Sequence, residues 1–414
     1  MIRLLSALAL LAPFTALALD APFTRERPGY APVTPERIAS LADGSRAAWE
    51  AYWQQSAHLA AADVAVLERE RSAAGRPAPT PTAETPERLN TRRPPAWYAS
   101  TEALDLARRV MSYQTPAGGW NKANPYVRVR SPGEEFGREA RYRGTFDNGA
   151  TVTELRFLAR VISAQPEAVT TDLRAAFERG LRYVIAAQFP HGGWPQVYPL
   201  TGGYHDAVTF NDDAMVNLLT LLGDVAAGRD TFAFVPAETR QAAHQSRERG
   251  LACILAAQVK RDGRPVAWGQ QHDAITLQPC AARAYEMASL SSSESAALVT
   301  LLMTVRSPTP EVIAAIEGAL AWFERTAIPD VAYQTVDGVP RQLVAAPGEG
   351  PLWSRMIDLT TDRPVFGDRD YTVHPSLETV SAERRRGYAW YTDRPADVLK
   401  AVPAWRAGVA ATGK

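Results

Sequence analysis

Cysteine is nearly absent from this chain, with two residues, Cys253 and Cys280, in 414. Two cysteines build neither a disulfide framework nor a four-ligand zinc site. One pairing is open to them, but Cys253 sits in the apolar helical run LACILAAQ, where a lone buried thiol is the commoner outcome. An excess of charge is missing as well. The formal net charge is +0, so nothing global argues for nucleic acid or a membrane surface, and any charge argument has to be local. Long hydrophobic runs are confined to one end. Arg3 precedes an apolar stretch from Leu4 to Leu19, with Ala16-Leu17-Ala18 as a small-residue cleavage signature. The stretch is too short to span a bilayer comfortably and reads as a secretory signal peptide over 1–18. The mature protein is therefore expected in the periplasm or outside the cell, as a monomer, with neither membrane nor nucleic acid as a partner.

What is present is the makings of a large core, 46% apolar residues against 22% charged ones. A helical pattern runs from Ile38 to about Ser72, followed by a proline-rich connection over 73–95 that can be neither helix nor central strand. We expect residues 19–95 to form an N-terminal segment, with 38–95 packed on a single catalytic unit over 96–414. Within that unit a repeat stands out. The helices LARRVMSYQ, LRYVIAAQ and ACILAAQ end at Gln114, Gln188 and Gln258, at intervals of 74 and 70 residues. Trp120 and Trp194 follow six residues after their glutamines, in GGW turns, and Trp268 follows ten residues after its own. A period of this size holds two helices and their loops. The second helices are expected at Thr151–Ser163, Asp213–Ala227 and Ser293–Val305. Helical hairpins bury their faces by stacking on neighbours, as an open solenoid or a closed toroid. The fold class expected is dominated by α-helix, an (α/α) arrangement of repeated hairpins whose long irregular loops and few short strands form a cleft. A further helix is expected at Glu311–Arg325, after which the pattern breaks down until a last helix at about Ala396–Ala411.

The loop from Gln188 to Asn217 is long for a compact domain, and such loops are usually functional. It ends in Asp212 and Asp213 just before an apolar helix, where capping is the plain alternative. Asp147, in TFDNGAT, opens another helix, and Gln271, His272 and Asp273 follow the third repeat. Three helix-opening loops thus carry acidic groups toward one side. Clustered carboxylates suit a hard, oxygen-seeking cation such as calcium better than zinc, although no EF-hand spacing is present. Cations lie in similar loop-like, aromatic-rich surroundings: Lys122, Arg143, Arg283, Arg355, Arg363, Arg369 and Arg384 to Arg386. Guanidinium groups grip carboxylates bidentately, so the set reads as a groove for an acidic carbohydrate.

The strings GGWNK, TFDNGAT, QFPHGGWPQVYPL, TFNDDAM, WGQQHD, RAYEMASLSSSES and RPVFGDRD, in order from about Trp97 to Trp390, resemble family 10 polysaccharide lyases, the pectate lyases. The resemblance implies an (α/α) toroid with a broad cleft. It also implies cleavage of polygalacturonate, demethylated pectin, by calcium-assisted anti-β-elimination to 4,5-unsaturated oligogalacturonides. By the same matching, Arg283 in RAYE is the base. Asp147, Asp212 and Asp213 are the metal-side carboxylates. Lys122, Asn148, Tyr285, Arg363 and Arg369 are binders of the substrate, and Arg386 joins them by its charge and position alone. Elementary chemistry resists the first assignment, because arginine is almost always protonated. Two other readings compete: a non-catalytic binder of acidic polysaccharide, and a terpenoid-cyclase-like toroid suggested by QTPAGGW and NDDAM.

Overall fold

The computed structural model describes residues 23–25, 29–74, 89–122, 124–137, 143–166, 171–336 and 338–412. The leader over 1–18 and most of the proline-rich connection lie outside them. Eleven helices are described: α1 (Pro35–Ala39), α2 (Asp43–Ala74), α3 (Thr101–Ser112), α4 (Val152–Ala164), α5 (Thr171–Ala186), α6 (Ala214–Ala227), α7 (Ala237–Ala257), α8 (Ser292–Met303), α9 (Pro310–Thr326), α10 (Ala382–Gly387) and α11 (Arg394–Thr412). Helices α3, α5, α7 and α9 pack side by side as one row, and α4, α6, α8 and α11 as a second. The result is an (α/α) toroid of helical hairpins. Both cysteines are free thiols.

The repeated glutamines and tryptophans hold the units together. Each glutamine amide donates to a carbonyl in its own return turn and to one in the next helix of the first row. Gln114 reaches Ala176 at 2.9 Å, Gln188 reaches Ser246 at 2.8 Å and Gln258 reaches Ala315 at 2.9 Å. Each indole is fully buried and donates to the carbonyl four residues before its glutamine, Trp120 to Val110, Trp194 to Val184 and Trp268 to Ile254. The neighbouring helix must come close to accommodate the ring. A Cβ on Gly180 would lie 2.8 Å from Trp120, and one on Gly250 the same distance from Trp194.

The tryptophan carbonyls then set the second row. They accept the backbone N–H groups of Thr145, Thr209 and Ser291 at 3.0, 3.0 and 2.7 Å. The next residues, Phe146, Phe210 and Ser292, donate to the carbonyls of Gln196, Gln270 and Arg355 in the following unit. These three helix-opening loops are therefore suspended between their own unit and the next one, which delivers the starts of α4, α6 and α8 to one side.

The repeat does not end at α9, as the sequence led us to expect. Trp353 donates its indole N–H to Phe323 at 2.7 Å, the same bond the three other tryptophans make. The fourth unit is disguised for two reasons. Ala327 stands where the glutamine stood, and the return turn carries an inserted antiparallel hairpin, Val331–Val336 with Val339–Ala345.

Helix α2 lies across these turns. Tyr52 donates to Ala187, Ser56 accepts from Leu200, Asp63 accepts from Ala117, and Glu70 binds Arg130 and the N–H of Gly133. Below α2, Arg37 forks onto Asp273. Past the fourth unit, short ladders tie the C-terminal loops to the second row: Met356–Ile357 with Leu290–Ser291, Trp353–Ser354 with Tyr391–Thr392, and Phe366–Gly367 with Thr372–His374. They enclose a second apolar cluster that includes Tyr285, Phe366, Tyr388 and Trp390.

Candidate active site

The site stands at the N-terminal ends of the second-row helices. The strings TFDNG and TFNDD adopt the same conformation in successive units, a short 3-10 turn ahead of α4 or α6. Asn148 and Asp212 occupy matching positions in it, with left-handed φ of 52° and 50°. Such a φ is uncommon outside glycine, and Asn and Asp tolerate it best. The turn thrusts these two side chains outward instead of back onto the helix. Neither Asp147 nor Asp213 makes a side-chain cap bond, so the capping alternative does not hold.

The carboxylates differ sharply in their company. Asp147 is buried and accepts from Lys122 Nζ at 2.6 Å. Asp213 is forked by Arg394 at 2.9 and 2.8 Å. Asp212 accepts from Asn211 Nδ2 at 2.8 Å, while the Arg355 guanidinium stays 3.9 Å away. Its acidity is weakened by burial first of all, opposed by the charge of Arg355 and reinforced by Asp147 and Glu294. Asp212 is thus the carboxylate whose negative charge is least compensated.

Arg283 opens a tight turn closed by the Glu286 N–H bonding back to the Arg283 carbonyl. Its guanidinium is forked by Glu286, through Nε at 2.8 Å and through a second, shorter bond. Tyr388 donates to the same Glu286 carboxylate at 3.0 Å. Burial alone would lower the Arg283 pKa, but the bonds and charge of Glu286 outweigh it, so the pKa is raised. The side chain is nonetheless 39% exposed and lies 5.0 Å from the Tyr285 ring centroid. Arg384 lies over the same ring at 4.6 Å, and Arg369 at 5.8 Å. Gly367 makes room for this turn: a Cβ there would meet the Tyr285 carbonyl at 2.3 Å.

Buried pairs brace the floor. Glu294, at the start of α8, is held by Arg355 and Ser291, which keep its pKa low despite complete burial. Arg355 also donates to Asn211 at 3.1 Å, and Gln270 links Asn211 to Tyr388.

Of the residues singled out from the sequence, Lys122, Asp147, Asp212, Asp213, Arg283 and Tyr285 come together here, with Asn148 exposed beside Asp147 and Arg369 against Tyr285. Arg363 and Arg386 are exposed, and their side chains make no contact with this cluster among the described residues. Arg386 is displaced by its helix: two residues apart on α10 means opposite sides, and Arg384 takes the inward one. Gln271, His272 and Asp273 are not the third unit's contribution. His272 is fully buried and neutral, its pKa pushed down to about 4 by burial, with Nδ1 at 2.8 Å from the Leu277 carbonyl. Asp273 faces Arg37. Glu294 fills that place instead, and Asn211, Gln270, Tyr388 and Arg394 join it. The serine-rich opening of α8 carried the signal for Glu294, since it aligns with TFDNG and TFNDD. Nothing in the sequence marks Arg394.

Among the described residues no group of three or more histidine, cysteine, aspartate or glutamate side chains could hold a metal ion unaided, and no helix is long and apolar enough to cross a membrane.

The sequence matches the family described as pectic acid lyase over residues 114–399. No curated protein matches it significantly. Among solved structures it resembles the family 10 polysaccharide lyase of Cellvibrio cellulosa, with 34% identity and a TM-score of 0.66, covering 77% of this chain and 99% of that one. It resembles equally an aspartate-to-alanine mutant of a family 10 lyase from that organism in complex with trigalacturonic acid, at 34% identity and TM-score 0.66, over 75% of this chain and 96% of that one. This chain belongs to the pectic acid lyase family, family 10 of the polysaccharide lyases.

Proposed function

We propose that this protein cleaves polygalacturonate by β-elimination at the cleft between Lys122, Asp212 and Arg283. It is a pectate lyase by family, and a family member is known in complex with trigalacturonic acid. The observation that carries the local reading is the 39% exposed Arg283, whose charge reaches the poorly compensated Asp212. A uronate chain brings one carboxylate per sugar. Tyr285, buried against the guanidinium groups of Arg283 and Arg384, supports them, and Lys122, Arg369 and the Arg283 edge offer positive charge. Arg363, exposed on a loop, and Arg386, exposed on α10, meet more distant uronates.

In the reaction a base takes the C5 proton of one sugar, the electron pair forms the C4–C5 double bond, and the glycosidic oxygen at C4 departs with its pair. The proton is α to a carboxylate and weakly acidic, so a strong base is an asset even when its neutral form is scarce. We assign that role to Arg283. Glu286 and Tyr285 orient its guanidinium, and Glu286 at the same time keeps it charged until substrate arrives.

The residues present fit a calcium ion only in part. Lys122 occupies Asp147 and Arg394 occupies Asp213, whereas Asp212, with its weakened acidity, and the Asn148 amide oxygen suit a hard cation. We infer that Asp212 is the principal protein carboxylate for calcium, with Asp147 and Asp213 setting the field around it. When bound, the ion supplies positive charge for the substrate carboxylate, as an electrophilic clamp. Export from the cell rests on the leader over 1–18.

The test is ultraviolet absorbance of the mature protein with polygalacturonate, first with calcium and then with excess chelator. Absorbance from a conjugated unsaturated uronide, lost with chelator and restored by calcium, is expected. New reducing ends without absorbance would mean hydrolysis and would discard the mechanism. Retention of the polymer with neither signal would make the protein a binder.

A further inference from the structure

A second basic groove lies at the opposite end of the toroid from the active site. It encloses about 900 Å³ between the C-terminal end of α6, the first turns of α7 and the segment after α8. Asp212 and Asp213 precede the N-terminus of α6, so the two sites are separated by a helix of 14 residues, about 20 Å at the usual rise. Arg229, Arg240, Arg247 and Arg306 line the groove with His244. Glu248 is the sole carboxylate among the lining residues, and Arg247 binds it at 3.0 Å. The side chains of Arg229, Arg240 and Arg306 make no hydrogen bond or ion pair among the described residues. In a protein of zero net charge, three unneutralised guanidinium groups around one open groove form a concentrated positive field.

The surface beneath them is shaped to hold them. Gly223 lies inside α6, where glycine costs roughly 1 kcal/mol relative to alanine. A Cβ there would sit 3.1 Å from Arg247 Nε, and one on Gly228 would sit 2.3 Å from an Arg240 terminal nitrogen. Both arginines therefore pack closely against the C-terminal half of α6, where a larger side chain at either glycine would displace them. One plain reading is that these cations offset the carbonyl ends of α6 and α8. That reading explains one or two of them, but not Gly223 inside α6 or Arg240 and Arg247, which stand on α7; Gly228 is the left-handed cap that ends α6.

We propose that this groove is a second, non-catalytic binding site for the uronate chain, holding one stretch of polymer while the cleft works on another. It rests on the lyase reading above. Spaced carboxylates on a polymer suit spaced guanidinium forks, and linking two weak sites through one polymer raises apparent affinity without new contacts at the cleft.

The experiment compares wild type with the triple variant Arg229→Ala/Arg240→Ala/Arg306→Ala, and with Arg306→Glu alone in case the triple variant does not fold. Retention is measured in native gels containing polygalacturonate and chelator, and kinetics on polygalacturonate and on trigalacturonate. The expected result is a roughly tenfold rise in KM on the polymer and matching loss of retention, with kcat and KM on trigalacturonate unchanged. Wild-type cleavage with retention unaltered in both variants would overturn the proposal and leave the lyase reading intact. Equal loss of retention on dextran sulfate would also overturn it, as a surface for any polyanion. A wild type that cleaves no polygalacturonate is the failure of the lyase reading, and is told apart by the same kinetics.

Discussion

Replacing Arg283 by lysine separates a base from a clamp. Both side chains are cationic and reach for the same carboxylate, but their ordinary pKa values differ by roughly 2–3 units, near 10.4 for lysine and above 12 for arginine. Glu286 acts on either residue in the same direction, so the difference survives in the site. If residue 283 takes the C5 proton, kcat/KM of the wild type should climb with pH through the whole accessible range, because neutral guanidinium keeps accumulating. In Arg283→Lys the climb should bend over near the lysine pKa, which Glu286 lifts above 10.4. Charge-assisted bonds to one carboxylate contribute about 1.5–3 kcal/mol, or roughly 1–2 pKa units. Adding Glu286→Gln to the lysine variant should therefore bring the bend down by that amount.

The assay is the initial rate of unsaturated uronide absorbance across the alkaline range, at saturating and limiting polymer. Arg283→Ala should abolish turnover while polymer still binds. The reasoning fails if Arg283→Lys runs parallel to wild type at every pH with only KM raised, because a residue that merely grips a carboxylate does not impose its own titration on the rate. The outcome also decides what Glu286 does. With a base at 283, its forked bonds are a restraint released as substrate binds; with a clamp, they only aim the fork.

Asp212→Asn should weaken calcium binding, measured by calorimetry in the presence of trigalacturonate, by tenfold or more, whereas Asp213→Asn should chiefly lower the thermal midpoint because Arg394 loses its counter-charge and one of its two bonds. Arg25→Ala should lower kcat with little change in folding, since Arg25 holds the carbonyls of Arg283 and Ala284 at 2.7 and 2.9 Å from behind the catalytic turn; an unchanged kcat would make that contact incidental. Glu154 is buried against the Tyr126 hydroxyl, and burial pushes its pKa up to about 7. A folded pKa above the unfolded one stabilises at low pH, and that contribution is lost as pH rises from the unfolded value through about 7. Glu154→Gln should then gain about 3 kcal/mol relative to wild type at pH 9, read from urea midpoints, and nothing at pH 4.

The hairpins were legible because their lock is local in sequence. A glutamine at a helix end and a tryptophan after a glycine turn bond to carbonyls fixed by the same few residues, so Gln114, Gln188 and Gln258 announce their units. The fourth unit escaped because its lock is split by a hairpin of two six- and seven-residue strands. Once the insertion is removed, Trp353 and Phe323 make the familiar bond. Helix α2 was legible as a helix, but its resting place was not. Its anchors, Tyr52, Asp63 and Glu70, meet the return connections of two different units at sequence separations of more than fifty residues.

The site was legible to the extent that chemistry-bearing residues open helices. The matched turns of TFDNG and TFNDD bring Asp147 and Asp212 to one edge, and aromatic and cationic strings near RAYE supply the other. What the sequence withheld is pairing. Asp147, Asp212 and Asp213 look alike as letters, and three aspartates suggest a cage for a metal. In the structure Lys122 claims one and Arg394 another, so a single carboxylate keeps its charge in want of a partner. Arg355 and Arg384, likewise, look like free hands for substrate, yet Arg355 is spent on Glu294 and Arg384 is buried under Tyr285. Cations that are already satisfied raise the potential of the cleft without gripping the polymer, and they penalise the loss of any neighbour's charge. Substitution of a satisfied residue such as Glu294 should therefore disturb the protein first through stability, because it leaves Arg355 buried and unpaired. Substitution at Asp212 should act first through chemistry, because its charge is the one the folded protein leaves in want of a partner, whereas Arg283→Ala should remove turnover and also strip the buried Glu286 of its forked bonds.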